Sequence, residues 1–283
     1  LQRYLRARMI KTSKKIQTVI NIILTVFGIL WVMPLLFVIL NLFKTKQEYN
    51  LGSLWELPVS FNAGIIFSNF KSLIANKLFL SFGSTFLYCG VGAAAGVFIA
   101  LLAGYGLTHT SVKHKNFWFM LIYSGTVFPF ESYLIPVYKA YYNTGLYNTR
   151  TGMTLFFMAL CIPFAMFVFR NFFLGVDNEI CEAAKIDGAN SWQTLMKIML
   201  PMAKAPLAIV LLQQFTACWN NLLFGLTFVK SANIRPVMAS LSLLGNANVP
   251  LMFLACIFVS LPAIILFFLL RDQLVVGYAY TTK

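Results

Sequence analysis

A row of polar side chains runs through an otherwise apolar stretch of the sequence between positions 205 and 229. At about 3.6 residues per turn, the amide and hydroxyl side chains fall within an arc of roughly 160° of one helix, and large apolar residues cover the rest. Such groups donate and accept hydrogen bonds, which suits a neutral polyhydroxylated solute whose ring faces stack on a nearby aromatic side chain. The residues predicted to line a solute pathway here are Gln213, Gln214, Thr216, Trp219, Asn220 and Asn221.

The same stripe has a structural interpretation, in which its amides hydrogen-bond to neighbouring helices and only hold them together. For any single residue the two interpretations have equal weight. Exposure of four carboxamides to lipid would be costly, so the face must point into a helix bundle or a water-filled path. Taken as a stripe, the pattern favours a pathway.

One acid, Glu131, lies within the predicted membrane spans, and Pro129 and Pro136 flank it. Both prolines remove helix hydrogen bonds, so this span should kink or break near its outer side and free carbonyl groups toward a cavity. Glu131 either lines the solute pathway or lies at the outer interface, and the interface is favoured. A single carboxylate without a positioned second group does not indicate catalysis. The five cysteines form no Cys-x-x-Cys pair, so no metal site is predicted.

The composition indicates a membrane protein. Hydrophobic residues make up 59% of the 283 residues and charged residues only 11%, which is far more apolar than an ordinary soluble domain. A membrane span needs roughly 20 mostly apolar residues. The sequence therefore predicts an all-α, polytopic fold with six transmembrane helices. The qualifying segments are 19–42, 79–107, 117–140, 152–173, 205–229 and 251–270.

The distribution of cations predicts the orientation. The tail 1–18 carries six basic residues and no acid directly before the first span, so it should stay cytoplasmic. With six spans both termini are cytoplasmic, the loop 174–204 is inside, and the long segments 43–78 and 231–250 are outside. The net charge of +14 is spread over loops that border the membrane, which fits anionic lipid and topology better than nucleic acid.

Small residues recur every four positions in the second predicted span. They form a shallow groove that admits a neighbouring helix closely, which is a packing feature more than a gate. The groove consists of Gly92, Gly96, Ala100 and Gly104.

The loop 174–204 is predicted to contain two short helices joined at a glycine. Asp177 can cap a helix over 178–186, which Gly188 can end. Ser191 can cap a second segment that carries a single apolar stripe until Pro201 breaks the pattern. The stripe comprises Trp192, Leu195, Met196 and Met199.

The first of these helices has the composition of a docking element. Its paired alanines leave little bulk, which suits insertion into a cleft on another protein, with charged contacts at the rim. An ordinary amphipathic loop at the membrane interface is an equally good interpretation of this pattern alone. The charged rim residues are Glu182, Lys185 and Asp187.

The loop also resembles a known family. Glu182-Ala183-Ala184, Gly188 and Ile198-x-Leu200-Pro201 match the cytoplasmic coupling-loop signature of bacterial ABC importer permeases, and Asp187 matches the carbohydrate branch, the maltose-type inner-membrane components. The likeness covers nearly the whole chain and implies a type I ABC importer permease fold over 19–283 in the cell membrane. Further matching positions are Pro129, Pro136, Tyr138, Leu146, Asn148, Thr149, Trp219, Asn220, Arg271, Gln273, Val275 and Gly277.

The resemblance implies partners and roles for two regions. Two ATPase subunits would dock on the loop, a second homologous permease would complete the pore, and an external solute-binding protein would deliver a sugar or oligosaccharide. ATP and magnesium would bind the ATPases, because this sequence contains no phosphate-binding Gly-x-x-x-x-Gly-Lys motif. The coupling residues would be Glu182, Ala183, Ala184, Asp187, Gly188 and Pro201. Receptor contacts would be Leu243, Leu244, Gly245, Asn246, Ala247 and Asn248, unless 231–250 is only a flexible connector.

Two other classes of membrane protein compete with this interpretation. A self-contained secondary transporter or channel for a small polar solute would want intramembrane ionisable pairs or an internal repeat. A polytopic enzyme would need a cluster of acid, base or metal-ligating residues near the interface. The sequence shows neither feature clearly, so both classes are less favoured than the importer permease.

Overall fold

A computed structural model describes residues 14–53, 55–244 and 248–281. These residues are helical and contain no β-strand, as expected for a chain whose backbone polar groups must be satisfied within lipid. In chain order the helices are α1 Lys14–Asn41, α2 Lys46–Leu51, α3 Ala63–Ala75, α4 Leu78–His109, α5 Lys115–Tyr123, α6 Leu134–Asn143, α7 Arg150–Leu174, α8 Asn178–Ile186, α9 Ser191–Met202, α10 Lys204–Trp219, α11 Leu223–Phe228, α12 Val237–Leu244 and α13 Val249–Thr281. Short 3-10 turns cover Ser124–Thr126, Phe130–Tyr133 and Ala232–Ile234.

Within the described part of the chain, four helices are long and apolar enough to cross a membrane: α1, α4, α7 and α13. They coincide with the first, second, fourth and sixth predicted spans. Helices α9 and α10 pass the same test only as a pair, and they are bent by 80° where they meet. The fifth predicted span therefore begins at a sharp corner.

The third predicted span, 117–140, is not a continuous helix. Helix α5 ends at Tyr123, and the chain passes through two 3-10 turns before α6 begins. The predicted break is confirmed at Pro129, which lies between the two turns with an extended ψ of 129°. Pro136 disturbs nothing, because it lies in the first turn of α6, where the backbone N–H groups have no intrahelical partner.

The fifth predicted span, 205–229, is also interrupted. Helix α10 ends at Trp219, and the Asn221 side-chain oxygen accepts a hydrogen bond from the Phe224 N–H at 3.1 Å, in the first turn of α11. Asparagine side chains compete in this way with the backbone bonds of a continuous helix, so the two adjacent asparagines mark the break.

The predicted groove of small residues is confirmed. A Cβ atom added at Gly96 would lie 2.5 Å from the Met158 carbonyl oxygen, and one at Gly104 would lie 2.9 Å from the Phe169 Cβ. A Cβ atom added at Gly92 would lie 2.9 Å from the Thr154 carbonyl oxygen. Any larger side chain at these positions would push α4 and α7 apart, so the glycines allow the closest helix contact in this bundle region.

A hydrophobic core lies where α4 and α7 meet the predicted inner loop. It joins side chains from five helices, α4, α7, α8, α9 and α10, all of which are at most 8% exposed. The core includes Tyr105, Phe173, Cys181, Leu195 and Met199. The core therefore connects the predicted docking helix to two spans by direct packing.

The described residues fall into two compact units. One comprises the residues up to Ser72 together with 248–254, and the other comprises Leu73–Leu244 together with the residues from Ala255 on. In the first unit, α1 is exposed from Ile16 to Leu36, and the Phe37 ring contacts Trp55 and Phe253 edge-on at centroid distances of 5.0 and 5.8 Å. All the features discussed below, except Asn248, belong to the second unit.

Candidate coupling surface, polar stripe and outer segment

Helix α8 has the predicted bounds, Asn178–Ile186. Asp177 occupies the N-cap position, although its side chain makes no capping hydrogen bond. Gly188 ends the helix with a φ of +80°, and its N–H donates to the Lys185 carbonyl at 3.0 Å while the Ala189 N–H donates to the Ala184 carbonyl at 2.9 Å. These two bonds form a Schellman motif, which requires the left-handed conformation that glycine adopts most easily.

The two adjacent alanines of α8 face opposite ways. Ala184, like Cys181, is buried, at 4% exposed, whereas Ala183 is exposed. Of the paired alanines predicted to suit insertion into a cleft on another protein, only Ala183 is therefore open to such a contact, and the small side chain of Ala184 lets the helix lie close to its own protein. Burial raises the pKa of the Cys181 thiol, which Lys185 partly opposes, so the thiol is a neutral packing group.

The exposed face of α8 contains one large apolar residue that the sequence reasoning missed. Ile186 is 86% exposed at the last turn of the helix. It shares this face with Glu179, Glu182 and Ala183, at helical spacings of three and four residues, and all of them are exposed. The sequence does indicate this residue, because it places an isoleucine on the charged side of a short amphipathic helix.

The prediction that Ser191 caps the second helix is wrong by one residue. The N-cap is Asn190, whose side-chain oxygen accepts from the Gln193 N–H at 2.8 Å while the Gln193 side chain accepts from the Asn190 N–H at 2.9 Å. This reciprocal pair is a capping box, which satisfies two otherwise unpaired N–H groups and so outcompetes the serine.

The apolar stripe on α9 is only partly as predicted. Leu195 and Met199 are buried in the core, and Met196 is half-buried, but Trp192 is 55% exposed and meets the Phe98 ring edge-on. A π-helical turn over Leu195–Met199 changes the rotation per residue, which moves the tryptophan off the line of its neighbours.

Pro201 does not break the helix, contrary to the prediction. The chain stays helical to Met202, and the 80° bend follows at Ala203. The π-helical turn directly before Pro201 accounts for the difference, because a wider turn accommodates the proline ring and its missing N–H.

The polar residues of α10 are divided between two environments. Gln213 and Asn220 are exposed and Thr216 is half-buried, whereas Gln214 is only 6% exposed. The Thr216 hydroxyl donates to the Leu212 carbonyl at 2.7 Å, which satisfies it within its own helix. The open part of the predicted stripe therefore consists of Gln213, Thr216 and Asn220.

The acid predicted to lie at the outer interface or along the pathway, Glu131, is exposed in the turn Phe130–Tyr133.

Trp219 lies in a packed environment. It is 1% exposed, and its indole N–H donates to the Val259 carbonyl at 2.9 Å. Three phenylalanine rings surround it at centroid distances of 5.0–5.8 Å: Phe82, Phe86 and Phe215. In this conformation a solute does not reach the ring, so Trp219 acts here as a contact between helices.

The predicted outer segment 231–250 is folded into defined turns and a helix where the structure describes it. It contains the 3-10 turn Ala232–Ile234 and helix α12, whose residues Val237 and Ala239 are fully buried while Leu243 is 58% exposed. Asn248 caps α13, since its side-chain oxygen accepts from the Leu251 N–H at 3.3 Å. Leu244 is half-buried at the end of α12, and the remaining predicted receptor contacts, Gly245, Asn246 and Ala247, lie outside the described residues.

Comparisons with known proteins agree with this architecture. Residues 96–277 match the family described as binding-protein-dependent transport system inner membrane component. The Probable ABC transporter permease protein YurM of Bacillus subtilis (strain 168) is 30% identical over 249 residues, which cover 87% of this chain and 81% of that protein. The arabinooligosaccharides transport system permease protein AraQ of Halalkalibacterium halodurans is 27% identical over 274 residues, covering 94% and 96%.

A solved structure shows the same fold. The crystal structure of a bacterial ABC transporter involved in the import of the acidic polysaccharide alginate contains a chain that superposes with a TM-score of 0.76. The match covers 93% of this chain and 98% of that one at 22% identity. The chain therefore belongs to the family of binding-protein-dependent transport system inner membrane components, and it is a multi-pass membrane permease subunit of an ABC importer.

Proposed function

We propose that this permease couples ATP hydrolysis on partner ATPase subunits to the import of a sugar or oligosaccharide delivered by an external solute-binding protein. The observation that carries the proposal is the two-sided character of α8. Cys181 fixes one side of the helix to a core shared with α4 and α7, and Ala184 is buried on the same side, while the other side is free to meet a partner. A displacement of the partner would therefore reach two spans through packed side chains.

The partner-facing surface would consist of a central apolar residue with a charged rim. Ile186 would fill a pocket on the ATPase, and Glu182 and Asp187 would pair with cations around it. Ala183 would let the two proteins approach closely, and Gly188 would set the direction in which the chain leaves the helix. Pro201 would act indirectly, through the π-helical turn that precedes it. ATP and magnesium would be held by the ATPases.

A carbohydrate substrate is supported by two independent observations. AraQ, which aligns over nearly the whole chain, is named for arabinooligosaccharides. The open face of α10 offers two carboxamides and a hydroxyl, Gln213, Asn220 and Thr216, without a fixed charge. Uncharged donors and acceptors suit a neutral sugar better than an ion. A second permease subunit would close the pathway opposite this face.

The proposal is tested on the assembled transporter in proteoliposomes. Uptake of labelled neutral di- and trisaccharides and ATP hydrolysis are measured with the natural chain, Glu182→Lys, Ile186→Asp and the control Lys197→Gln, whose exposed side chain lies on α9. We expect the first two variants to lose at least tenfold in uptake with unchanged membrane insertion, and the control to stay within twofold. Uptake by this chain without an ATPase, or normal uptake by both charged variants, would refute the proposal.

A further inference from the structure

One face of the predicted outer end of α4 carries four hydroxyl groups. Ser81, Ser84, Thr85 and Tyr88 recur at spacings of three and four residues, and each is at most 1% exposed. Buried hydroxyls need hydrogen-bond partners, because an unpaired polar group in an apolar interior is costly. Thr85 and Ser84 also donate to carbonyls of their own helix, at Ser81 and Leu80, but the partners outside the helix all lie in the segment 231–244.

Each hydroxyl contacts a different point of that segment. Thr85 Oγ1 accepts from the Val237 N–H at 2.8 Å, and the Tyr88 hydroxyl donates to the Ile234 carbonyl at 2.6 Å. Ser84 donates to the Asn233 carbonyl at 3.2 Å, and the Ser81 and Ser240 hydroxyls are 2.6 Å apart. Three of the four bonds go to backbone atoms, so they specify the path of the chain whatever the side chains of the segment are.

A second attachment comes from Asn148, in the turn before α7. Its side-chain oxygen accepts from the N–H groups of Lys230 and Ser231, both at 2.9 Å, and its amide donates to the Ser231 hydroxyl at 2.8 Å. The backbone of Asn148 has a φ of 55°, a left-handed conformation that asparagine tolerates better than most residues. Arg150 adds a bond from its guanidinium to the Asn233 carbonyl at 3.1 Å.

We propose that Thr85, Tyr88 and Asn148 are positioning residues that fix the orientation of α12 and thereby present its exposed end, at Leu243, to the external solute-binding protein. This inference rests on the proposed function. Because directional bonds hold α12 before the partner arrives, docking does not have to order it, and less binding free energy is lost. Loss of these bonds should therefore weaken docking while leaving the transport steps after docking intact.

Thr85 offers the sharpest test, because substitution by valine and substitution by serine distinguish the effect of side-chain shape from the effect of the hydrogen bond. Thr85→Val keeps the shape but leaves the Val237 N–H without a partner in a fully buried position, whereas Thr85→Ser keeps the acceptor oxygen. Tyr88→Phe removes the bond to Ile234, and Thr108→Val is the control, since it removes a hydroxyl from the other end of the same helix, where its bonds go only to the carbonyls of Gly104 and Tyr105 in that helix.

The measurement is ATP hydrolysis by the whole reconstituted transporter, titrated with its sugar-loaded binding protein. We expect Thr85→Val and Tyr88→Phe to raise the binding-protein concentration for half-maximal stimulation about tenfold at an unchanged maximal rate. Thr85→Ser and Thr108→Val should stay within twofold of the natural chain. Hydrogen exchange in 235–244 should accelerate at least tenfold in Thr85→Val and remain slow in Thr85→Ser.

Unchanged half-saturation in Thr85→Val and Tyr88→Phe would overturn the inference, and so would an equal fall of the maximal rate in Thr85→Val and Thr85→Ser. These outcomes differ from a failure of the proposed function, in which the natural chain itself would show no stimulation by any external binding protein.

Discussion

Helices α8 and α12 are both short and lie outside the spans, but they are attached to the protein by different forces. In the described residues no side chain of α8 hydrogen-bonds to another element, and the helix is held by Cys181, which packs in an apolar core, and by the buried Ala184. Helix α12 and the turn before it are held by buried hydroxyls that bond to backbone atoms. Apolar packing is non-directional, whereas hydrogen bonds depend steeply on angle.

The difference matches two mechanical requirements. An element that follows a moving ATPase must stay attached while its angle changes, which packing between smooth small side chains permits. An element that receives a binding protein benefits from a fixed orientation before contact. Under the proposed function, non-directional contacts would suit the predicted inner side of this chain and directional contacts its predicted outer side.

The largest effect is expected where α8 depends on backbone geometry. Gly188→Pro removes the N–H that bonds to Lys185 and cannot adopt the φ of +80°. We expect ATP-driven uptake to fall by more than tenfold, with the protein still inserted in the membrane. Gly188→Asn, which tolerates the left-handed conformation, should retain most of the uptake. A proline variant that transports normally would show that the helix end does not transmit force.

The next largest effect is expected from substitutions that distinguish the buried face of α8 from its exposed face. Ala184→Leu overpacks the buried side of α8 and should lower the free energy of unfolding by roughly 1–3 kcal/mol, seen as a lower apparent melting temperature in detergent. Ala183→Leu should leave the melting temperature unchanged, because that side chain is exposed, yet it should reduce uptake by hindering the ATPase contact. If both variants melted alike and transported alike, the assignment of an inner and an outer face would fail.

A smaller effect is expected at the end of α10, where the exposed Asn220 follows directly after the buried Trp219. Asn220→Leu should reduce sugar uptake severalfold in an assembled complex, because an exposed carboxamide is lost without disturbing packing. Trp219→Phe removes the bond to Val259 and should cost about 1 kcal/mol of stability with little change in the uptake KM. Unchanged uptake kinetics for Asn220→Leu would make the polar face structural.

The sequence predicted those parts of the molecule whose signals are local. The bounds of α8, the glycine at its end and the close packing of α4 on α7 each follow from residues within a few turns of one another. The errors at Ser191 and Pro201 are also local. They arose because a capping box and a π-helical turn, each a competing use of nearby residues, were stronger than the simpler pattern.

The contacts of α12 could not be predicted in this way. Thr85 and Val237 are separated by 152 positions, and no local pattern distinguishes the threonine within its apolar span. Nothing in the periodicity of either segment indicates the other. The burial of Trp219 was missed for the same reason, since its partner Val259 belongs to the last span.

The smallest effect concerns the weakest link to α12, the pair Ser81 and Ser240. Their hydroxyls bond to each other, and Ser240 is half-buried, so water can replace a lost partner in part. Ser81→Ala alone should lower stability by about 0.5–1 kcal/mol, and Ser81→Ala with Ser240→Ala should lower it by no more than the single change, because no polar group is then left unpaired. Apparent melting temperatures of the two single variants and the double variant provide the measurement. Additive losses would mean that the two hydroxyls do not depend on each other, and the directional attachment of α12 would then be confined to the bonds that reach its backbone.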